Sequence, residues 1–164
     1  MFDTVLIAGL GLMGGSMAKT IKARTLSRVL GWNRTRATAE QALADGSIDA
    51  IATEALYKEA DLVIIGLYPQ ATVDWLLENM PKMKKGCVIV DMVGVKQFMV
   101  DHLEQAALDA GVHYVGGHPM AGREFSGLDY SLPTLFDGAS MIFVPTRSSN
   151  ERVLEQLEAY FMSL

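Results

Sequence analysis

The stretch TVLIAGLGLMGGSM, residues 4–17, decides the fold of this chain. Residues 5–8 are a short apolar run with β-branched members, which is typical of a strand buried on both faces of a sheet. Three glycines follow in the spacing G-x-G-x-x-G, namely Gly9, Gly11 and Gly14. A helical pattern begins at Leu12. This order of strand, glycine turn and helix predicts a phosphate-binding unit of the dinucleotide-binding type.

Each glycine has a separate task in such a unit. Gly9 permits the tight turn, Gly11 lets a pyrophosphate approach the backbone, and Gly14 lets the helix pack close to the strand. The free N–H groups at the helix start favour an anion. We therefore predict cofactor contacts from the whole loop: Gly9, Leu10, Gly11, Leu12, Met13 and Gly14. A purely structural glycine turn is the alternative.

The composition indicates one α/β domain. The chain has 164 residues, and half of them are hydrophobic, as a buried parallel sheet requires. The net charge of −5 argues against a nucleic-acid surface. The single cysteine, Cys87, can form no internal disulfide. Asp3 stands where a signal peptide needs basic residues, and no apolar stretch reaches the length of a membrane span. We expect a cytoplasmic protein with a small-molecule substrate and neither nucleic-acid nor membrane partners.

Strands and helices alternate along the rest of the chain. Further strands are predicted at residues 29–32, near 51, 62–67, 88–92, 112–115 and 141–144. Helices are predicted at residues 12–23, 35–44, 72–80 and 97–110, with a last helix after residue 148. Residues 123–138 form a polar, turn-rich excursion. The alternation predicts a doubly wound, mostly parallel sheet of the Rossmann type with helices on both faces.

The end of the second strand bears on cofactor choice. Asn33 occupies the position near which an acidic residue would hold the adenosine ribose, and Arg34, Thr35 and Arg36 follow. Asparagine does not repel a 2′-phosphate, and the next three residues are able to bind one. This favours NADP over NAD, with contacts from Asn33, Arg34 and Thr35. In the alternative interpretation Thr35 caps the next helix and both arginines are solvated.

A second strand end lies at residues 67–69, where open α/β sheets bind ligands. We expect Leu67, Tyr68 and Pro69 to line the cofactor pocket. Tyr68 is equally compatible with a partly exposed loop position.

His118 differs from the other two histidines, His102 and His113, for which solvated or structural roles are expected. It follows two glycines and precedes a proline, after a predicted strand, so its side chain should point at the cofactor crevice. An imidazole suits the removal of a hydroxyl proton during hydride transfer. From the residues alone, a catalytic and a loop hydrogen-bonding role both stay open. No spacing typical of metal ligands occurs.

Four segments resemble a known family, the prephenate and arogenate dehydrogenases of tyrosine biosynthesis. Residues 9–16 (GLGLMGGS) are similar to the opening of these enzymes, and residues 118–127 (HPMAGREFSG) resemble their signature H-P-x-A-G-x-x-x-S-G. Residues 91–96 (DMVGVK) and 135–136 (LF) resemble further elements, and the match runs the full length in order.

The resemblance implies oxidative decarboxylation of prephenate or arogenate with hydride transfer to NAD(P). It implies that His118 is catalytic, that Gly94 lies against the cofactor, and that Gly122 and Ser126 shape the substrate end. Many members carry a serine at the position of Gly94, where it assists the histidine. In this chain a backbone group or water must replace that serine, or its role is dispensable.

The last residues contain a capping-box pattern, Ser148 and Glu151, before an apolar stripe at helical spacing that still runs at the final residue. We expect residues 1–146 to form the dinucleotide-binding domain. Residues 147–164 would start a helix leading to a missing C-terminal helical domain. The resemblance implies that this domain supplies a substrate-binding arginine and builds a homodimer. These 164 residues alone should then turn over substrate poorly. Alternatively, the helix folds back on this sheet.

Two rival functions stay open. The first is a dehydrogenase of the 3-hydroxyacid type, which shares a G-L-G-x-M-G loop and a W-N-R-T segment but uses a lysine from beyond this domain. The second is a non-catalytic NAD(P)-sensing domain, which needs the glycines and not His118.

Overall fold

The computed structural model describes residues 2–164, which form seven strands, six α-helices and two short 3-10 helices, Met80–Lys82 and Leu128–Tyr130. The strands are β1 (Thr4–Ala8), β2 (Arg28–Trp32), β3 (Ala50–Ile51), β4 (Leu62–Ile65), β5 (Val88–Asp91), β6 (His113–Pro119) and β7 (Met141–Val144). The helices are α1 (Leu12–Arg24), α2 (Arg36–Ala44), α3 (Glu54–Tyr57), α4 (Pro69–Asn79), α5 (Lys96–Ala110) and α6 (Glu151–Met162). None of the helices in residues 2–164 has the length and apolar character that crossing a membrane requires.

All strands join one sheet in the order β3-β2-β1-β4-β5-β6-β7. The pairs from β3 to β6 are parallel, and β7 alone runs antiparallel to its neighbour β6. Strand order reverses between β1 and β4, which creates the crevice where open α/β sheets bind ligands. The predicted doubly wound, mostly parallel sheet is confirmed.

The sheet is covered on both faces. Alternate residues of β1 point to opposite sides, so that Val5 and Ile7 join one apolar cluster while Leu6 and Ala8 join the other. The first cluster includes residues of α1, α2 and α6, and the second includes residues of α3, α4 and α5. Burial on both faces explains why the central strands are continuous apolar runs.

Helix α6 packs on the first face of this sheet. Val153, Leu157 and Tyr160 are buried there, and the Tyr160 ring makes an edge contact with Phe2 at 5.2 Å. The expected capping box is wrong, because the N-cap is Asn150, whose side chain accepts a hydrogen bond from the Val153 amide.

Two further local expectations need correction. Strand β6 continues to Pro119, so His118 lies within a strand, opposite Ile142 of β7, and not in a loop after it. Helix α4 begins at Pro69 because proline suits the first helical position, which moves Pro69 from a strand end to a helix start.

Candidate functional site

The three glycines of the motif differ in whether the surrounding structure leaves room for a side chain. A Cβ on Gly14 would lie 1.8 Å from the Gly9 carbonyl oxygen, so only glycine lets α1 pack this close to β1. Gly9 has φ +94°, and its Cβ would lie 2.7 Å from the Gly66 oxygen. Gly11 has φ −77° and open space around its Cβ position, with no atom of residues 2–164 within 4 Å other than those of its chain neighbours. The fold therefore requires glycine at positions 9 and 14 but not at position 11.

The start of α1 is open to an anion. Gly11 is the N-cap, no side chain caps the helix, and its first turn has no acidic residue. The loop before it is held by backbone hydrogen bonds, since the Gly9 amide donates to the Trp32 oxygen at 2.8 Å. Unpaired N–H groups at a helix start, together with the helix dipole, favour a phosphate.

Two cavities meet at this loop. One, of about 530 Å³, lies over the loop on the β5 side and is lined by residues 11–13, 66–69, 92–95 and 125–127. The other, of about 460 Å³, lies on the β2 side and is lined by Gly9, Gly11, residues 32–35, 66–68, Ala71, Asp74, Trp75 and Glu78. They share Gly11 and residues 66–68. Together they form a trough across the crevice between β1 and β4, with Gly11 common to both cavities.

Most residues predicted to bind a ligand line this trough. The cavity on the β5 side contains Gly11, Leu12, Met13, Leu67, Tyr68, Pro69, Gly94 and Ser126. The cavity on the β2 side contains Gly9, Asn33, Arg34 and Thr35. Leu10 borders a smaller adjoining hollow beside Asn33. Gly14 is buried beneath the loop, and Gly122 lines neither cavity. Phe125, which sequence reasoning did not select, lines the first cavity and stacks on Tyr130 at 4.7 Å.

The polar groups after β2 are partly engaged within the protein. Asn33 Oδ1 accepts from the Leu10 amide at 3.0 Å, and Asn33 Nδ2 donates to the Thr35 oxygen at 3.1 Å. Arg36 forms an exposed ion pair with Glu40 at 2.8 Å. Arg34 lines the cavity and has no ion pair within residues 2–164. Asn33 thus ties the glycine loop to β2, while Arg34 stays available to a ligand.

The His118 ring lies beside Gly94. A Cβ on Gly94 would be 3.4 Å from His118 Cε1 and 3.8 Å from Nδ1. Nδ1 is buried and has no hydrogen-bond partner among residues 2–164, whereas the side chain as a whole is partly exposed. His118 does not itself line the cavity, but its ring contacts Gly94, which does. No backbone group among the described residues takes the place of the serine expected at position 94 as a hydrogen-bond partner of Nδ1.

A buried polar cluster supports the segment that carries Gly94. Asp91 Oδ2 accepts from the Tyr114 hydroxyl at 2.6 Å, and Oδ1 forms an ion pair with Lys96. Burial and the Asp91 charge raise the pKa of Tyr114 far above its ordinary value. Burial lowers the pKa of Lys96, against the opposing pull of Asp91. Sequence reasoning noted Asp91 and Lys96 only as part of a resemblance and missed Tyr114.

The other titratable candidates do not form a site. His102 and His113 each direct Nδ1 at a backbone carbonyl, of Phe98 and Ser148 respectively. Residues 2–164 contain no group of three or more side chains placed to hold a metal ion.

A doubly wound sheet with an open glycine loop at its switch point defines the class of nucleotide-binding α/β domains. Residues 17–164 match the family model described as "Prephenate dehydrogenase, nucleotide-binding domain", and the chain belongs to this family. The family expected from the sequence segments is confirmed.

Three similar proteins illustrate the relationship. The prephenate dehydrogenase of Bacillus subtilis (strain 168) is 36% identical in an alignment of 162 residues that covers 96% of this chain and 43% of that protein. A crystal structure of prephenate dehydrogenase from A. aeolicus, in complex with hydroxyphenyl propionate and NAD+, gives a TM-score of 0.89 at 26% identity and covers 99% of this chain and 57% of the other. The Synechocystis arogenate dehydrogenase structure gives 0.85 at 25% identity, covering 95% and 55%. The chain spans about half the length of the curated relatives it matches.

Proposed function

We propose that this chain is the cofactor-binding part of a dehydrogenase that oxidatively decarboxylates prephenate or arogenate in tyrosine biosynthesis. The main support for a bound cofactor is the glycine at position 11. Neither its φ of −77° nor any neighbouring atom within 4 Å requires glycine there. A ligand that must touch the backbone does require it, and the open helix start suits the pyrophosphate of NAD(P).

A matched pair of variants tests this. Gly11→Ala should keep the unfolding temperature of the wild type and lose most of the affinity for NADH and NADPH, because the new methyl group would fill open space that a bound pyrophosphate would need. Gly122 also has nothing within 4 Å of its Cβ position but lies outside both cavities, so Gly122→Ala is the control. Unchanged cofactor affinity in Gly11→Ala would contradict the proposal.

The chemistry assigns one task to His118. A bound nicotinamide would supply the hydride acceptor. His118 accepts the proton of the substrate hydroxyl at Nε2, since Nδ1 is buried, and Nδ1 carries the hydrogen of the neutral ring. Loss of CO2 makes the substrate ring aromatic and supplies the driving force. The protein therefore acts mainly by positioning and proton removal, with Ser126 at the wall of the same cavity.

The His118→Asn variant separates an enzyme from a non-catalytic sensor. In the complete protein it should abolish turnover and leave the cofactor dissociation constant nearly unchanged. Turnover that survives the substitution would remove His118 from the mechanism.

We propose NADP as the favoured cofactor. Residues 32–35 at the end of β2 include no carboxylate, and Arg34, which forms no ion pair within residues 2–164, lines the adjacent cavity. NADPH should bind the chain more tightly than NADH, and Arg34→Ala should weaken NADPH binding alone. Arg36→Ala is the control, because Arg36 is engaged by Glu40. Tighter binding of NADH by the wild type would overturn this choice.

We further propose that complete catalysis needs residues beyond this domain, including a substrate-binding arginine and a dimer contact. The support is that the curated relatives are about twice as long. The 164-residue chain should bind cofactor and show far lower kcat than a longer chain carrying those residues. Equal kcat values would refute this.

A further inference from the structure

Asp91 is the only charged residue in the described part of the chain that is buried, with a relative exposure of 0%. It ends β5, at the edge of the sheet where the ligand crevice opens. A carboxylate removed from water is costly unless it is paired and hydrogen-bonded. The presence of a buried carboxylate at this position therefore needs a structural explanation.

The partners of Asp91 lie on two different parts of the fold. Oδ1 accepts from the Val93 amide at 2.7 Å and forms the ion pair with Lys96. Oδ2 accepts from the Tyr114 hydroxyl at 2.6 Å. Val93 lies within segment 92–95, Lys96 follows that segment directly, and Tyr114 belongs to β6. The carboxylate thus joins segment 92–95 to the strand that carries His118.

The two glycines before His118 make room for this junction. A Cβ on Gly117 would lie 2.3 Å from the Asp91 backbone oxygen, and one on Gly116 would lie 2.9 Å from Lys96 Cδ. Strand β6 therefore lacks side chains where Asp91 and Lys96 press against it. Both glycines have φ values outside the left-handed region, so close approach and not backbone conformation explains them.

The segment held in this way forms one wall of the candidate nicotinamide site. Residues 92–95 line the larger cavity, and Gly94 lies against the His118 ring, with its Cβ position 3.4 Å from Cε1. A shift of the segment would change the distance between that wall and the imidazole. Such a shift would alter the space left for the ring of the cofactor.

We propose that Asp91 is a positioning residue, which uses Lys96, Val93 and Tyr114 to fix segment 92–95 at its distance from His118. The role of this wall in holding nicotinamide rests on the proposed function. The distance between segment 92–95 and His118 is independent of that function, and the experiment measures this distance separately from cofactor binding. Asp91 touches no reacting atom in this arrangement.

The competing explanation is that the cluster only stabilises the fold. Buried ion pairs often contribute little net stability, and breaking one is destabilising wherever it occurs. A loss of stability alone would therefore say nothing about positioning. The control must be another buried tyrosine hydroxyl remote from the site. Tyr160 provides it, because its hydroxyl pairs with Ser27 at 3.0 Å in the cluster that includes α6.

The experiment compares Tyr114→Phe and Asp91→Asn with Tyr160→Phe in the 164-residue chain. The first readout is the nuclear Overhauser effect between His118 Hε1 and the Gly94 Hα protons, which needs no cofactor. The second is the dissociation constant of NADH, measured beside that of ADP-ribose, which lacks nicotinamide. Two variants of the cluster are used so that a failure of one to fold leaves the other to decide, and Tyr114→Phe is the milder change.

We expect Tyr160→Phe to keep the Overhauser effect and both dissociation constants. Tyr114→Phe should weaken the Overhauser effect and raise the NADH dissociation constant about fivefold or more, as loss of a hydrogen bond to a charged group allows. The ADP-ribose constant should change less than about twofold, because only the nicotinamide side is moved. A folded Tyr114→Phe variant with the wild-type Overhauser effect overturns the proposal, as does an equal change in Tyr160→Phe. If wild type binds neither NADH nor NADPH, the proposed function fails and the Overhauser comparison still decides the role of Asp91.

Discussion

Replacing Gly94 with serine should stabilise the protein by giving a buried nitrogen its missing partner. The Cβ of the new residue would lie 3.4 Å from His118 Cε1 and 3.8 Å from Nδ1, which are ordinary contact distances. Gly94 is not among the glycines with positive φ, so a side chain causes no backbone strain. The serine hydroxyl, one bond beyond Cβ, can reach Nδ1, which is buried and unpaired within residues 2–164.

The magnitude follows from comparison with alanine. Both variants lose the backbone freedom of glycine in the unfolded chain, which contributes about 0.4–1 kcal/mol to stability. Only serine adds the hydrogen bond, which is worth about 1 kcal/mol. For a chain of this size, 1 kcal/mol corresponds to a shift of about 2–4 °C in the unfolding temperature. Gly94→Ser should therefore unfold about 2–4 °C above Gly94→Ala.

Urea and thermal unfolding of Gly94→Ser and Gly94→Ala measure this difference directly. The same pair in a His118→Asn background completes the cycle, and there the gain from serine should shrink because the imidazole partner of the hydroxyl is absent. A serine variant no more stable than the alanine variant would refute the reasoning. So would a gain that persists unchanged without the imidazole.

Two further predictions concern groups away from the crevice. Burial favours a higher pKa for Asp61, but hydrogen bonds from Lys84 and the Thr4 amide outweigh it and hold the pKa below the ordinary 3.8. The ionised Asp61 therefore stabilises the folded protein at a pH above the pKa of the unfolded chain, and this stabilisation is lost as pH falls through the pKa of the folded protein. Urea unfolding should show that Asp61→Asn is destabilised at neutral pH and that its difference from the wild type shrinks below about pH 4. A difference that stays constant with pH would contradict this. The second of these groups is the thiol of Cys87, whose pKa burial raises to about 12. A thiol reagent at pH 8 should therefore react only as fast as the native protein opens, and rapid labelling would show that the thiol is accessible.

Local patterns predicted the first unit of the fold well. The strand, glycine turn and helix lie at Thr4–Ala8, residues 9–11 and Leu12–Arg24, since each is determined by residues close in the chain. Strand β6 is a case in which local sequence patterns gave the wrong secondary structure. The sequence GGHP looks like a loop, yet Gly116–Pro119 pair in register with β7, whose residues lie more than 20 positions further along. A partner distant in sequence decided that these residues are a strand.

The start of α6 shows a similar competition. Ser148 and Glu151 have the spacing of a capping box, but the Ser148 hydroxyl accepts a hydrogen bond from the Tyr114 amide at 2.9 Å. Once Ser148 is engaged by β6, Asn150 is left to cap the helix. A cap rule that uses only neighbouring residues cannot include this long-range bond.

The candidate site was predictable where a motif places residues on one loop and not where distant segments meet. His118 was selected from its glycine and proline neighbours, but the reason for those glycines lies in Asp91 and Lys96, which press against β6. An aspartate at a strand end, read alone, suggests a group that faces solvent or a ligand. Its burial depends on Tyr114, 23 residues further along, whose hydroxyl reaches back to it.

The glycine motif itself combines two separate requirements, which only the three-dimensional structure distinguishes. At Gly14 a side chain would collide with the protein at 1.8 Å, so this glycine would be needed in an identical fold that bound nothing. At Gly11 a side chain would meet nothing within 4 Å, so the fold gives no reason for the residue. A spacing pattern treats both positions alike. Of the three glycines in the motif, only Gly11 is left unexplained by packing and backbone conformation, and it also lines both cavities. It is therefore the motif position that argues for a ligand, and its substitution separates loss of binding from loss of folding.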